Sequence, residues 1–267
     1  MSYTPLELAV AFIQTGELDD ALDALNQHLA QQPQDDRARR WRLQILRQLN
    51  GDSQQALADL EQLATPTATD FTQVALLLDN VNDSDAALNL LADAHARWPH
   101  ETRLIEVYLR LLLEHDHIDI ALPIARAQPT AWRWLEWEGD LLASQGDDIT
   151  ATARYGLALA QLDAGFDTDS IAYLVPIKAR LLLARAHAYR RLGHYDLAVQ
   201  HYTEAEALMP TDPLIPFNRG LVAYLEGDQA SAIAICQSAL SAANPALRAQ
   251  MMAALQSDYA ALLPHLM

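Results

Sequence analysis

Within 267 residues the chain has one cysteine, Cys236, and one lysine, Lys178. A lone cysteine excludes an internal disulfide and a cysteine-built zinc site, and it suits a reducing compartment. All other cationic charge sits on arginine, whose planar fork holds carboxylates in a bidentate way. Positive charge is itself scarce: 18 Lys and Arg face 35 Asp and Glu, a formal net charge of −17. Such a field repels phosphate backbones and anionic headgroups, so neither a nucleic acid nor a membrane surface is expected as a partner. No run of eighteen residues is both apolar and uncharged, which excludes a membrane-spanning helix. Residues 1–20 hold Glu7, Glu17, Asp19 and Asp20 with no Lys or Arg, so no secretory leader is expected and a cytoplasmic location is. Glycine, with 9 residues, and proline, with 12, are thinly spread, which leaves few places where a helix has to stop.

What the chain does have is apolar residues at helical spacing, in a composition that is 51% hydrophobic. In "LLLARAHAYRRLGHYDLAVQHYTEAEALMPTDP", residues 181–213, one face runs through Leu182, Ala186 and Tyr189. Gly193 closes that helix, and a second face runs through Ala198, Tyr202 and Ala205 up to Pro210. A shift of 34 residues returns the same punctuation: Gly220, Gly227, Ala232 and Ala239, with Pro245 behind. Upstream, a turn residue followed five positions later by alanine recurs as Gly16/Ala21, Gly51/Ala56, Asn82/Ala87, Asp116/Ala121 and Gly146/Ala151. With Gly193 and Gly227 that makes seven units, whose turns are 35, 31, 34, 30, 47 and 34 residues apart. Pro33, Pro99, Pro129, Pro210 and Pro245 are expected to close five of the second helices, because proline can stop a helix but not sit inside one.

These spacings resemble the tetratricopeptide repeat, a 34-residue helical hairpin with small residues where its helices cross. The resemblance covers residues 1 to about 245 and implies an all-α fold: an α-solenoid, a right-handed superhelix of about seven hairpins. The expected repeat array is 1–245, in units of approximately 2–35, 37–67, 68–101, 102–130, 132–178, 179–212 and 213–245. Residues 246–267 are expected to form a C-terminal capping helix. Two helices approach to about 8 Å only where the crossing carries glycine or alanine. Gly139, Ala186 and Gly220 are expected at that crossing on first helices, and Ala151, Ala198 and Ala232 on second helices. Residues 164–176 are expected to break the rhythm, as a longer loop or an extended helix.

Catalytic chemistry finds no constellation here. "EHDHID", residues 114–119, gathers His115, Asp116, His117 and Asp119, but at a hairpin turn, where Asp and His are ordinary turn residues. His187, His194 and His201 fall on a helix, a turn and another helix, and are expected at the surface. No phosphate loop, dinucleotide fingerprint, nucleophile elbow or HExxH motif is present. Cys236 occupies the slot of Tyr202 in the preceding unit and is expected to be a buried hydrophobe. No enzyme activity, no metal and no cofactor are therefore expected.

The resemblance implies a scaffold that binds a protein or peptide partner on the concave face lined by first helices. On that face lie Trp41, Arg42, Ile45 and Gln48 in the second unit; Arg103, Glu106, Arg110 and Glu114 in the fourth; and Arg133, Glu136, Trp137 and Asp140 in the fifth. The fourth and fifth units read as self-paired at i, i+3 and i, i+4. The sixth differs: Arg180, Ala184, His187 and Arg191, with Arg190 adjacent, form a basic stripe that its own helix does not balance. Beside it the seventh aligns Leu214, Asn218, Leu221 and Leu225, flanked by Phe217 and Tyr224. Arg180, His187, Arg190, Arg191, Phe217, Asn218, Leu221, Tyr224, Trp41, Arg110, Arg133 and Trp137 are thus the candidate partner-binding residues, suited to an acidic, amphipathic segment. Two alternatives stand beside this. The C-terminal helix, or Glu204 and Glu206, covers the stripe; or the apolar C-terminal repeats serve a constitutive subunit or homodimer interface. Trp137 reads either as an anchor or as packing. The lysine-rich carboxylate clamp of chaperone-binding relatives is not matched, since Leu6 and Val10 occupy that face of the first unit.

Overall fold

The computed structural model describes residues 3–164 and 171–266, and every regular element within them is a helix. In chain order these are α1 (Pro5–Thr15), α2 (Leu18–Gln31), α3 (Asp36–Leu49), α4 (Ser53–Gln62), α5 (Ala68–Asn80), α6 (Ser84–Arg97), α7 (Thr102–Glu114) and α8 (Ile118–Arg126). They continue as α9 (Trp132–Ser144), α10 (Asp148–Ala164), α11 (Ile171–Arg191), α12 (Tyr195–Leu208), α13 (Leu214–Leu225), α14 (Gln229–Ala242), α15 (Pro245–Asp258) and α16 (Leu263–Leu266). The architecture is an all-α helical repeat of the solenoid class. The chain divides into two compact units, Met1–Ile124 and Ala125–Met267.

One turn geometry recurs. Gly16, Asn50, Asn82, Asp116, Gly146, Gly193 and Gly227 all adopt positive φ, between 48° and 89°. After each, the next amide donates to a carbonyl five residues back, from Glu17 to Phe12 at 2.9 Å in the first hairpin and from Asp228 to Ala223 at 2.9 Å in the last. This pairing satisfies carbonyls that the helix end leaves open, and the left-handed residue reverses the chain within two or three positions. One expectation shifts: in the second hairpin the left-handed residue is Asn50 and not Gly51. Asparagine tolerates that conformation, and its Oδ1 there accepts a bond from Asn80 Nδ2 at 3.0 Å. Several second helices open on an aspartate cap, such as Asp52 accepting from Gln54 and Gln55, and Asp228 from Ser231.

The small residues sit where the helices touch. A Cβ on Gly139 would lie 2.5 Å from the Tyr155 ring, and one on Gly220 would lie 2.7 Å from Cys236 Sγ. Ala186, Ala198, Ala151 and Ala232 are all 0% exposed. Proline behaves less simply than expected. Pro33, Pro99 and Pro210 follow the ends of α2, α6 and α12, but Pro123 lies inside α8 and Pro176 inside α11. α11 is the extended first helix, since residues 171–176 are its opening turns; residues 165–170 of the expected break lie outside the described residues.

The N-terminal unit packs α1 and α2 through Ala9, Ala21, Ala24, Leu25 and Leu29, with Ala38 and Ile45 of α3 joining them. Beneath the apolar contacts runs a buried ion pair. Arg42 donates from Nε and Nη2 to both oxygens of Asp59, whose side chain is 0% exposed, and from Nη1 to Asn26 at 2.8 Å. In the C-terminal unit, α15 packs Met251 and Leu255 against Phe217, Leu221, Cys236 and Leu240 of α13 and α14.

Candidate partner-binding face

The basic stripe of α11 is not unbalanced. Arg180 donates from Nε and Nη2 to Glu136 of α9 at 2.6 and 2.7 Å. Arg191 holds Asp148, the first residue of α10, through Nε at 2.8 Å and Nη2 at 2.5 Å. Arg190 donates to the Tyr259 hydroxyl just beyond α15. The answering carboxylates come from preceding helices, a partnership invisible to spacing along α11 alone. Glu204 and Glu206 lie elsewhere: Glu204 is 3.6 Å from His201, and Glu206 accepts from Arg219 at 2.7 Å.

Next to this ladder, Tyr155 donates to Asp140 at 2.7 Å, and Tyr202 Oη lies 2.9 Å from His187 Nδ1. Burial, reinforced by neighbouring Glu136, pushes the Asp140 carboxyl up to about 6, although the Tyr155 hydrogen bond opposes it. Burial and then the Arg190 and Arg191 charges bring His187 down to about 4. His201, expected at the surface, is buried, with its ring stacked on Tyr189; only His194 of the three is exposed.

The apolar strip of α13 is likewise occupied. Phe217, Leu221 and Asn218 are 2%, 3% and 8% exposed, so these three are core positions and not a lining open to a partner. The cover is the C-terminal segment, one of the two arrangements expected: Tyr259 sets its ring edge-on to half-buried Tyr224 at 6.0 Å. Leu225 at the end of α13 stays exposed.

In the middle helices Arg110 meets Glu114 at 3.6 Å, as expected. Arg133 lies 5.3 Å from the Trp132 ring, while Glu136, its expected partner, is held by Arg180. Trp137 is half-buried and Trp134 is buried. His115 of the "EHDHID" run turns to Asp79 of α5 at 2.8 Å. Among the described residues no three His, Cys, Asp or Glu side chains gather to hold a metal ion. Cys236 is buried, and its thiol is pushed up to about 11 by that burial.

In the N-terminal unit the first-helix face is open at α1 and α3. Val10, Ile13 and Gln14 of α1, Leu18 of α2, and Trp41, Gln44, Ile45 and Gln48 of α3 line a cavity of about 280 Å³. Its walls are apolar and its rim is three glutamines. No lining residue is ionisable, in a chain of net charge −17. Trp41 keeps its expected place on this face, but Arg42 turns inward to Asp59 and Ile45 is the floor, 3% exposed. Sequence reading missed Ile13, Gln14, Leu18 and Gln44. The available signal was the continuation of the Leu6–Val10 face by one turn to Ile13 and Gln14.

Comparison with known proteins agrees with this geometry. The tetratricopeptide repeat family model matches residues 6–70 and 183–247. The chain is similar in structure to a tetratricopeptide repeat protein from Parabacteroides merdae ATCC 43184, at 14% identity and a TM-score of 0.62, over 92% of this chain and 95% of that one. It is equally similar to the C-terminal part of a TPR repeat-containing protein from Cytophaga hutchinsonii, at 13% identity and a TM-score of 0.61, over 97% of this chain and 98% of that one. No curated protein matches in sequence. Among the described residues no helix is long and apolar enough to cross a membrane. Residues 6–70 and 183–247 are thus tetratricopeptide repeats, a repeat whose proteins are generally non-catalytic scaffolds that bind protein or peptide partners.

Proposed function

We propose that this protein is a non-catalytic, cytoplasmic scaffold that holds a segment of a partner protein against its first helices, with the principal seat in the N-terminal unit. The observation that carries this reading is the uncharged apolar cavity bounded by α1 and α3, with Trp41 as one wall. An exposed apolar concavity rimmed by polar side chains is the ordinary form of a recognition site. Charge supports an acidic, amphipathic partner. The first helices α1, α3, α5, α7, α9, α11 and α13 hold 14 of the 18 cationic residues but only 9 of the 35 acidic ones. They are thus net positive, while the chain as a whole is strongly negative. The array of 1–245 and its cap at 246–267 form the supporting frame. A homodimer built on the α13 strip is the weaker reading, because α15 covers that strip.

Site-specific photo-crosslinking tests the proposal. A photoreactive residue replacing Gln48 should trap a defined partner, whereas the same residue replacing Ile149, 72% exposed on α10, should not. Equal products from both positions would remove the cavity as the seat.

A further inference from the structure

Resting on that reading, we infer the chemistry of the partner at this seat: an extended segment that inserts one leucine-sized side chain and carries a carboxylate two residues along. The cavity sets the first part. Val10, Ile13, Leu18, Trp41 and Ile45 offer only apolar surface, and about 280 Å³ leaves ample room for a branched aliphatic side chain the size of leucine, with no group to pair a buried charge.

Arg37 sets the second. It lies one helical turn before Trp41 on α3, exposed, with its guanidinium 4.4 Å from the centroid of the Trp41 ring. Stacking there fixes the fork over the cavity wall while its N–H edge stays in water. Among the described residues no carboxylate lies within ion-pair distance of Arg37. The contrast with its neighbours on α3 is direct: Arg39 and Arg42 face Asp59, and Arg40 holds Asp70 at 3.2 Å. Arg37 is therefore the charge at this wall that a partner can answer. One helical turn is about 5.4 Å and two residues of extended chain about 6.6 Å, so an apolar side chain in the cavity brings the carboxylate of the second residue on to the Arg37 fork.

The glutamines set the third. Gln14, Gln44 and Gln48 each present an amide that both donates and accepts. Such groups match the exposed N–H and C=O of an extended segment, whereas a helix has already satisfied its own. A second copy of this chain is the poorer occupant, since two bodies of charge −17 repel.

The experiment is nuclear magnetic resonance titration of the full chain with three synthetic peptides: Ac-Ser-Leu-Ser-Asp-Ser-NH2, its Leu-to-Ala analogue and its Asp-to-Asn analogue. The first should shift the Ile13 and Ile45 methyls and the Trp41 indole. The alanine analogue should bind about 10-fold more weakly and the asparagine analogue about 3-fold more weakly. Arg37→Gln, a surface change that leaves the fold intact, should erase the difference between aspartate and asparagine. Unmoved resonances, equal binding of the alanine analogue, or a persisting Asp/Asn difference in Arg37→Gln would overturn the inference. So would shifts that follow protein concentration alone, the mark of a second copy. If the peptides fail but a partner crosslinked at Gln48 still protects the Ile13 and Ile45 methyls, the peptide chemistry falls and the scaffold reading stands. If that protection is also missing, both fall.

Discussion

The N-terminal and C-terminal units are built from the same hairpin, yet the ion pairs beneath their candidate faces are arranged in opposite ways. In the first, the arginine fork of Arg42 is drawn inward to Asp59, and the first-helix face above is left apolar and open at Trp41. In the second, the carboxylates are buried and the arginines lie outward: Glu136 and Asp148 are 10% and 8% exposed, Arg180 and Arg191 62% and 44%. The difference teaches that a row of arginines on one helix says little about binding until the neighbouring helix is known.

Breaking the inward pair should produce the largest effect. Asp59→Ala leaves Arg42 buried without its carboxylate and should cost the N-terminal unit about 3–5 kcal/mol by urea denaturation. The matching change in the other unit, Glu136→Gln, leaves an arginine that water already reaches, and should cost about 1 kcal/mol or less. Equal losses would erase the contrast.

Acidity sharpens it next. Asp140, at about 6, keeps its proton in the folded chain where the unfolded chain has lost it, so folded stability falls as pH rises from about 4 to 6. His187, at about 4, stays neutral in the folded chain where the unfolded chain is protonated, so folded stability falls as pH drops from about 6.5 to 4. Each effect amounts to about 3 kcal/mol, and in the natural chain they oppose each other over one window. Asp140→Asn should therefore be more stable at pH 7 and lose that gain on acidification, while His187→Gln should be most stable near pH 4 and weaken towards pH 6. Denaturation midpoints measured from pH 4 to 7 check both slopes; parallel slopes in the two variants would contradict the assignment.

The hairpins were legible because their signals are local. Left-handed turns demand Gly, Asn or Asp, and crossings demand Gly or Ala, so Gly16, Asn82, Gly193, Gly139 and Gly220 announce themselves. The one-residue error at Asn50 arose because glycine follows it, and both residues can take positive φ. The site was less legible because its determinants are between helices. Nothing in α11 names Glu136 or Asp148, 44 and 43 residues away, and nothing in α13 names Tyr259. Likewise the cavity is made jointly by α1 and α3, and only half of it was visible from Trp41.

A smaller effect tests how tightly the C-terminal unit is closed. Gly220→Ala places a methyl 2.7 Å from Cys236 Sγ and should cost about 1–3 kcal/mol. Cys236→Ala should restore part of that loss, and a double-mutant cycle in urea measures the coupling. Additive losses would mean that the two side chains do not meet.

The most direct measurement is calorimetric titration of the partner crosslinked at Gln48 into two variants with unchanged circular dichroism. One is Ile13→Asp, which puts a charge into the cavity; the other is Arg180→Gln with Arg191→Gln, which dismantles the outward ion pairs. The account predicts at least a 10-fold loss of affinity in the first and a change within about 2-fold in the second. The reverse order, with the arginine variant losing the partner and Ile13→Asp keeping it, would contradict it.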